Sequence, residues 1–290
     1  MIINRNLPKS NQPIPENKLN QIIDRTISEL TEDDLKNATS IGNNAFDGCT
    51  SLTSIVIPNS VTSVGNYAFF GCTSLTSITI PDSITDVKNY AFARSGLKNI
   101  YIGNNNITFG QGCFNSCASL EELVFSDNVT AIGNSMCNGC TALTKLVIGN
   151  GITEIPASAF GGCPALSDIT LGDNITMIGN SAFSNCSAIT NLTLGSSLTN
   201  IDGYAFSSTG LVEVTIKAII PPTIQPGIFN NVTTLQRIYI PAGTLPAYQA
   251  ATNWSNFADK FVEMPSFEDT GGTDTPLFPD PDDSGGEWIP

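Results

Sequence analysis

From Leu52 onward the chain repeats one alternation of apolar and polar positions. A Leu is followed three and five places on by aliphatics, then by a turn of Asn, Asp or Ser, two further aliphatics, and Ala-Phe. The stretch SLTSITIPDSITDVKNYAFARS, which begins at Ser74, contains the whole unit. Counted on its aromatic position, the unit recurs at Phe46, Phe69, Phe92, Phe114, Cys137, Phe160, Phe183, Phe206 and Phe229. The interval is 23 residues, except for 22 between Phe92 and Phe114. So constant a period predicts a solenoid of stacked, near-identical turns, in which no turn can bury its apolar face without a neighbour.

Within the unit, Leu-x-x-Ile-x-Ile predicts a strand, from Leu52, Ile55 and Ile57 through Leu97, Ile100 and Ile102 to Leu235, Ile238 and Ile240. Residues two apart share a strand face, so the aliphatics at +3 and +5 point inward and the residue between them outward. Nine such strands at about 4.8 Å spacing predict one sheet roughly 40 Å long. Pro58, Pro81, Gly103, Gly149, Gly172, Gly195 and Pro241 end the strands. The Ala-Phe segment predicts a tight helical or 3₁₀ turn with its Phe plugged into the interior. Gly42, Gly65, Gly133 and Gly179 share a slot that Lys88, Pro156 and Asp202 fill in other turns. Proline cannot take a positive φ, so the glycine there answers to space rather than handedness.

The ends depart from the pattern. Residues 1–18, rich in Pro and Asn, predict a flexible arm, and residues 19–45 an N-terminal cap and degenerate repeat. Leu19, Ile22, Ile23 and Ile27 suit a short amphipathic helix or a degenerate turn. Ile27, Leu30, Leu35, Ala38 and Ile41 have the spacing of Val61, Val64, Phe69, Cys72 and Leu75, which puts Leu35 in the Phe slot. After the solenoid of residues 46–240, residues 241–264 predict a C-terminal cap. It has a helix from about Leu245 to Thr252 and Trp254, Phe257 and Phe261 as a lid over the open core. Residues 265–290 read as an acidic disordered tail.

The combination of Leu-x-x-Ile-x-Ile-Pro, Asx-Ser-Val/Ile-Thr-x-Ile-Gly and Ala-Phe-x-x-Cys resembles the BspA-like class of bacterial leucine-rich repeats, and AYQAATNWSNFAD is similar to the cap that often closes them. The resemblance covers about residues 27–264. It implies an α/β-type repeat solenoid: a leucine-rich repeat with a parallel β-sheet on the concave side, irregular or 3₁₀ turns on the convex side, and short helical caps. It also implies a role in adhesion, by binding a protein or glycan on another cell or host. Members of this kind are usually exported, and similar repeats without signals occur in phages of gut bacteria.

Composition narrows the chemistry. Hydrophobic residues make up 41% and charged residues 13%, so there is ample material for a core. Of the formal charge of −14, a count along the sequence puts −1 in residues 1–45, −5 in 46–240, −1 in 241–264 and −7 in the tail. An acidic surface repels a phosphate backbone, which makes nucleic acid a poor partner. No run has the length of a membrane span, and the opening MIINRNLPKSNQPIPENK lacks the apolar stretch of a signal peptide. The expected setting is extracellular or cell-surface if a leader has been removed, or else the virion of a phage assembled in the cytoplasm.

The chain has no histidine, which excludes Ser-His-Asp and Cys-His catalysis and histidine metal sites. Six of its eight cysteines (Cys49, Cys72, Cys117, Cys140, Cys163, Cys186) stand three residues after the Phe slot, where Ser95, Thr209 and Val232 stand in other turns. They read as a column of free, buried thiols, because a ladder does not converge on a metal and parallel Cβ vectors close a disulfide poorly. Cys113 takes the Ala slot. Met136-Cys137 reverses the usual small-large order, and Met136 is expected to fill the space of the missing Phe. Ser95-Gly96-Leu97-Lys98 matches a serine-lysine catalytic motif by chance, since it lacks the helix that motif requires. Asp280, Asp282, Ser284 and Gly285 resemble half a calcium loop and read as a solvated tail.

No enzyme activity, cofactor or metal is expected. The candidate ligand face is the outward surface of the sheet: Tyr101, Val124, Val147 and Tyr239, with Glu122, Lys145 and Asp168 beside them. The tyrosines are the preferred anchors. Two functions follow: a non-enzymatic recognition or adhesion module that uses its concave face, or a structural or host-recognition component of a phage particle attached through the arm or through Glu287-Trp288-Ile289-Pro290.

Overall fold

A computed structural model describes residues 29–103 and 106–265. The expected arm, the stretch from Leu19 to Ile27, the acidic tail and its half calcium loop lie outside the described residues. The chain winds as a solenoid of parallel strands, and Phe69, Phe92 and Phe160 all lie in its fully buried interior. The rings of Phe46, Phe69, Phe92 and Phe114 stack at 5.0, 5.1 and 5.6 Å, and those of Phe160, Phe183, Phe206 and Phe229 at 5.6, 5.8 and 5.8 Å. Cys137 separates the two stacks, with Met136 fully buried beside it.

Strand alternation is as the pattern predicts. Asn99–Ile102 and Asn191–Leu194 bury every second residue and expose the others. The single nine-stranded sheet is corrected, however. One parallel sheet holds Asn99–Ile102, Glu122–Phe125, Lys145–Ile148 and Asp168–Leu171. A second holds Asn191–Leu194, Glu213–Ile216, Arg237–Ile240 and, from the cap, Phe261–Glu263. Ser54–Ile55 pairs only back to Glu29–Leu30, and the segment from Ser77 to Ile80 joins no strand. The Leu-x-x-Ile-x-Ile pattern is intact on both sides of each break, so the difference lies in packing. Ile78, Ile80, Ile169 and Leu171, inward residues on the N-terminal side of the breaks, are half-buried, whereas those of the other strands are buried.

A second set of parallel ladders, two residues per turn, runs along the polar-aliphatic step before the Gly slot. It links Ser63–Val64, Asp86–Val87 and Thr108–Phe109, and then Glu154–Ile155, Met177–Ile178, Asn200–Ile201 and Thr223–Ile224. This set breaks between Ala131 and Glu154, at the turn where Cys137 replaces Phe. The main sheet crosses that gap through Glu122–Phe125 and Lys145–Ile148. The second ladders in turn cross the gap between Leu171 and Asn191.

The expected helical or 3₁₀ turn around Ala-Phe is also corrected to an irregular one. Every such turn takes a positive φ two residues before the Phe slot and two after it, as at Asn44 and Gly48, Tyr67 and Gly71, or Ser181 and Asn185. Left-handed residues between right-handed ones aim alternate N–H groups along the solenoid axis. Asn44, Phe46 and Gly48 thus donate to the carbonyls of Asn66, Ala68 and Phe70 one turn on, at 2.7 to 2.8 Å. A left-handed non-glycine residue costs roughly 1–2 kcal/mol, which the inter-turn bonds, at about 1 kcal/mol each, offset. Gly65, Gly133 and Gly179 are not left-handed. A Cβ on any of them would lie 2.5 to 2.7 Å from backbone atoms of the preceding turn. Space is therefore what that slot selects.

At the N-terminus the expected register is corrected. Leu30 pairs with Ile55, on the main sheet, and Ile41 with Val64, on the second ladder. The eleven steps from Leu30 to Ile41 do the work of the nine from Ile55 to Val64, because the helix Glu32–Leu35 gains less length per residue. Asp34 fixes its start by accepting from the Thr31 N–H and hydroxyl at 3.0 and 2.7 Å. At the other end the helix Leu245–Ala250 stops two residues short of expectation. Tyr248 and Trp254 are wholly buried there.

Candidate functional site

Neighbouring strands set the outward residues in columns. Tyr101, Val124, Val147 and Thr170 are successive register partners, as are Asn99, Glu122, Lys145 and Asp168. Six of the seven expected ligand-face residues (Tyr101, Glu122, Val124, Lys145, Val147, Asp168) are thereby brought onto one four-stranded sheet. Tyr101 is 63% exposed, and its hydroxyl donates to the Glu122 carboxylate one turn on at 2.5 Å. That bond, more than any burial, raises the Tyr101 pKa above the ordinary tyrosine value. Among the described residues neither Lys145 nor Asp168 has an ion pair. The patch thus presents an aromatic ring held by an acid, two half-buried valines, and a cation and an anion free to meet a partner.

Tyr239, the seventh, belongs to the second sheet, beyond the break. It is half-buried, and its hydroxyl donates to Glu213 at 3.3 Å while Arg237 pairs with the same carboxylate at 2.8 Å. The face is therefore two patches rather than one. The separation had no signal in the sequence, since Asp168–Leu171 and Asn191–Leu194 follow one pattern.

All eight cysteines are free and buried. The structure adds a reason for the slot. The thiols of Cys72, Cys117, Cys140 and Cys186 each donate to the Phe-slot carbonyl of the preceding turn at 3.1 Å, whereas Thr209 donates to the Phe206 carbonyl of its own turn at 2.8 Å. Cys or Thr in this slot thus also donates a hydrogen bond, whereas Val232 fills it by size alone. Burial pushes the Cys72 and Cys117 thiols up to about 12. Because the folded value lies above the ordinary 9.0, each thiol's contribution to stability is full below pH 9 and is lost as pH rises through 12. The native protein is accordingly expected to resist iodoacetamide at pH 8 and to be alkylated at all eight positions once unfolded. Labelling read by intact mass checks it, and prompt labelling of the folded chain would contradict the buried column.

Ser95 is buried with its hydroxyl 3.4 Å from the Cys117 sulfur while Lys98 is exposed, so the serine-lysine spelling makes no site. Among the described residues no cluster of three or more His, Cys, Asp or Glu could hold a metal, and no helix is long and apolar enough to cross a membrane.

The profile of the BspA type leucine rich repeat region matches residues 39–167 and 153–252, in six copies. Among solved structures the chain is similar to a leucine-rich repeat protein from Bacteroides ovatus ATCC 8483. The identity is 24% and the TM-score 0.63, over 83% of this chain and 67% of that one. A T. pallidum leucine rich repeat protein is 28% identical over 52% of this chain and 72% of its own, with a TM-score of 0.48. A leucine rich cell surface protein from Faecalibacterium prausnitzii A2-165 is 23% identical over 76% and 80%, with a TM-score of 0.33. No curated protein matches.

Proposed function

Because the chain belongs to the BspA-type leucine-rich repeat family, we propose that it is a non-enzymatic recognition module that holds a protein surface against the first sheet, with Tyr101 as the anchor and Glu122, Val124, Lys145, Val147 and Asp168 around it. The observation that carries this reading is Tyr101 itself. A large ring, 63% exposed, stands on a hydrogen-bonded sheet with its hydroxyl fixed, so a partner buries it at little entropic cost. Lys145 and Asp168 supply orientation rather than bulk affinity. Tyr239, with Glu213 and Arg237, forms a secondary patch. The setting proposed with this function is the cell surface or the extracellular space, as the family resemblance implies.

Affinity capture with the full chain, run beside a glycan array, tests the proposal. Tyr101→Ala is expected to weaken capture of the protein partner by about 2 kcal/mol, roughly thirtyfold, and Lys145→Ala by less. Capture unchanged by both substitutions would remove the face from consideration, and a ligand found only on the array would assign it to glycan instead.

A further inference from the structure

A glycine after an asparagine leaves the peptide nitrogen unshielded by a side chain and open to attack the asparagine's own amide. The chain has two such pairs, Asn138-Gly139 and Asn150-Gly151. The fold treats them differently. Asn138, half-buried, belongs to the turn around Cys137, where the Gly139 N–H donates to the Gly161 carbonyl one turn on at 2.8 Å. With a φ of 77°, Gly139 is part of the left-handed pattern that aims this N–H along the solenoid axis. The nitrogen can leave that bond only if the ladder between turns opens.

Asn150 and Gly151 follow the strand Lys145–Ile148 in a turn closed by one long bond, from the Ile152 N–H to the Gly149 carbonyl at 3.4 Å. Asn150 is exposed, and among the described residues neither the Gly151 N–H nor the Asn150 side-chain NH₂ group has a hydrogen-bond acceptor. The rest of Asn150 is held. Its N–H donates to the Asp127 carboxylate at 2.7 Å, its carbonyl accepts from the Asn174 side-chain amide at 2.9 Å, and its Oδ1 accepts from the Asp173 N–H at 3.0 Å. That last bond draws electron density from the amide carbon and stands where negative charge develops as a nucleophile adds, as the donors of an oxyanion hole do. Packing forbids a larger residue after Asn150: a Cβ on Gly151 would lie 2.2 Å from the Asp127 carbonyl oxygen and 2.5 Å from that of Val129. Free nucleophile, polarised amide and unbound leaving group thus meet at one pair and not at the other.

We infer that Asn150 is a self-modifying site: the folded protein converts it to aspartate and isoaspartate through a cyclic imide, and spares Asn138. The Gly151 nitrogen bonds to the Asn150 Cγ, the Cγ–Nδ2 bond breaks, and the nitrogen's proton leaves with the amide as ammonia. Water then opens the ring. Cleavage of the new Cγ–N bond restores the peptide link and gives aspartate, while cleavage at the main-chain carbonyl gives isoaspartate, whose backbone runs through Cγ. The fold accepts the first product, since Asp82, Asp127 and Asp173 hold the corresponding place in other turns, and the Asp127 carboxylate already takes the bond from the next turn. Aspartate at this place completes a row of carboxylates from Asp127 to Asp173, with Lys217, 3.3 Å from Asp173, at its end. The end of the strand that bears Lys145 and Val147 thereby gains a negative charge as the protein ages.

The full chain, held folded in mildly alkaline buffer and then digested with pepsin in acid, is read by peptide mass spectrometry. Conversion at Asn150 is expected to run severalfold ahead of conversion at Asn138, and the two rates should converge when the chain is unfolded in guanidinium. On ion exchange, the first acidic species to split from the ageing protein should be one that Asn150→Ser does not form. Serine stands at this place in another turn as Ser196, so the variant should keep the melting curve. Equal conversion of the two sites in the folded chain, a difference that survives unfolding, or the same first acidic species in Asn150→Ser would each overturn the assignment.

Discussion

Replacing Phe183 by alanine is expected to lower the unfolding free energy by about 3 to 5 kcal/mol, the range for removing a buried aromatic ring. Phe183 is fully buried between Phe160 and Phe206, at 5.6 and 5.8 Å, and its turn has no second aromatic to collapse into the space. Because each turn meets only its neighbours, the damage should be local in origin: hydrogen exchange should quicken first in residues 177–206 and later toward the ends. Chemical denaturation together with exchange mass spectrometry reads both. A loss of less than about 1 kcal/mol would mean that the ring file does not hold the turns together.

Trp254→Ala is expected to be as severe, for two separable reasons. The indole is wholly buried against Tyr248 at 5.6 Å and near Phe257 and Phe261 at 6.2 Å each, and its N–H satisfies the Pro222 carbonyl. Loss of the ring costs about 3 to 5 kcal/mol. Trp254→Phe keeps most of the packing and orphans the carbonyl, which costs about 1 to 3 kcal/mol. Limited proteolysis should cut the alanine variant within residues 217–264 before the solenoid is touched. Equal losses in the two variants would place the whole effect in the hydrogen bond.

The periodic features were legible because they depend on side-chain type alone. The interval between Phe slots predicts the stack, Leu-x-x-Ile-x-Ile predicts which strand face is buried, and the presence of Pro156 beside Gly65 and Gly179 in one slot settles that the glycine makes room. What was not legible depends on backbone or on small differences between similar turns. Tyr67, Ser135 and Gly227 share one left-handed position, and no common property of the three announces it. Leu30 and Ile41 were misregistered because a four-residue helix absorbs two extra positions, which spacing alone cannot detect. The candidate face falls on outward strand positions, yet Tyr239 lies on another sheet, beyond the break beside the half-buried Ile169 and Leu171, which the repeat pattern does not mark. The donor role of Cys72 and Thr209 had only a faint signal, in that Cys, Ser or Thr stands in the slot in eight turns and the non-donor Val232 in the ninth.

The backbone bonds between neighbouring Phe turns all point one way. Donors on each turn reach toward the C-terminus, and the carbonyls that receive them belong to residues made about 22 positions later. The Phe segment of a finished turn thus presents its outward N–H groups to the next stretch to leave the ribosome. Such a molecule can be laid down in order during synthesis, like courses of brick, with the Tyr248 and Trp254 cap as the coping that ends the wall.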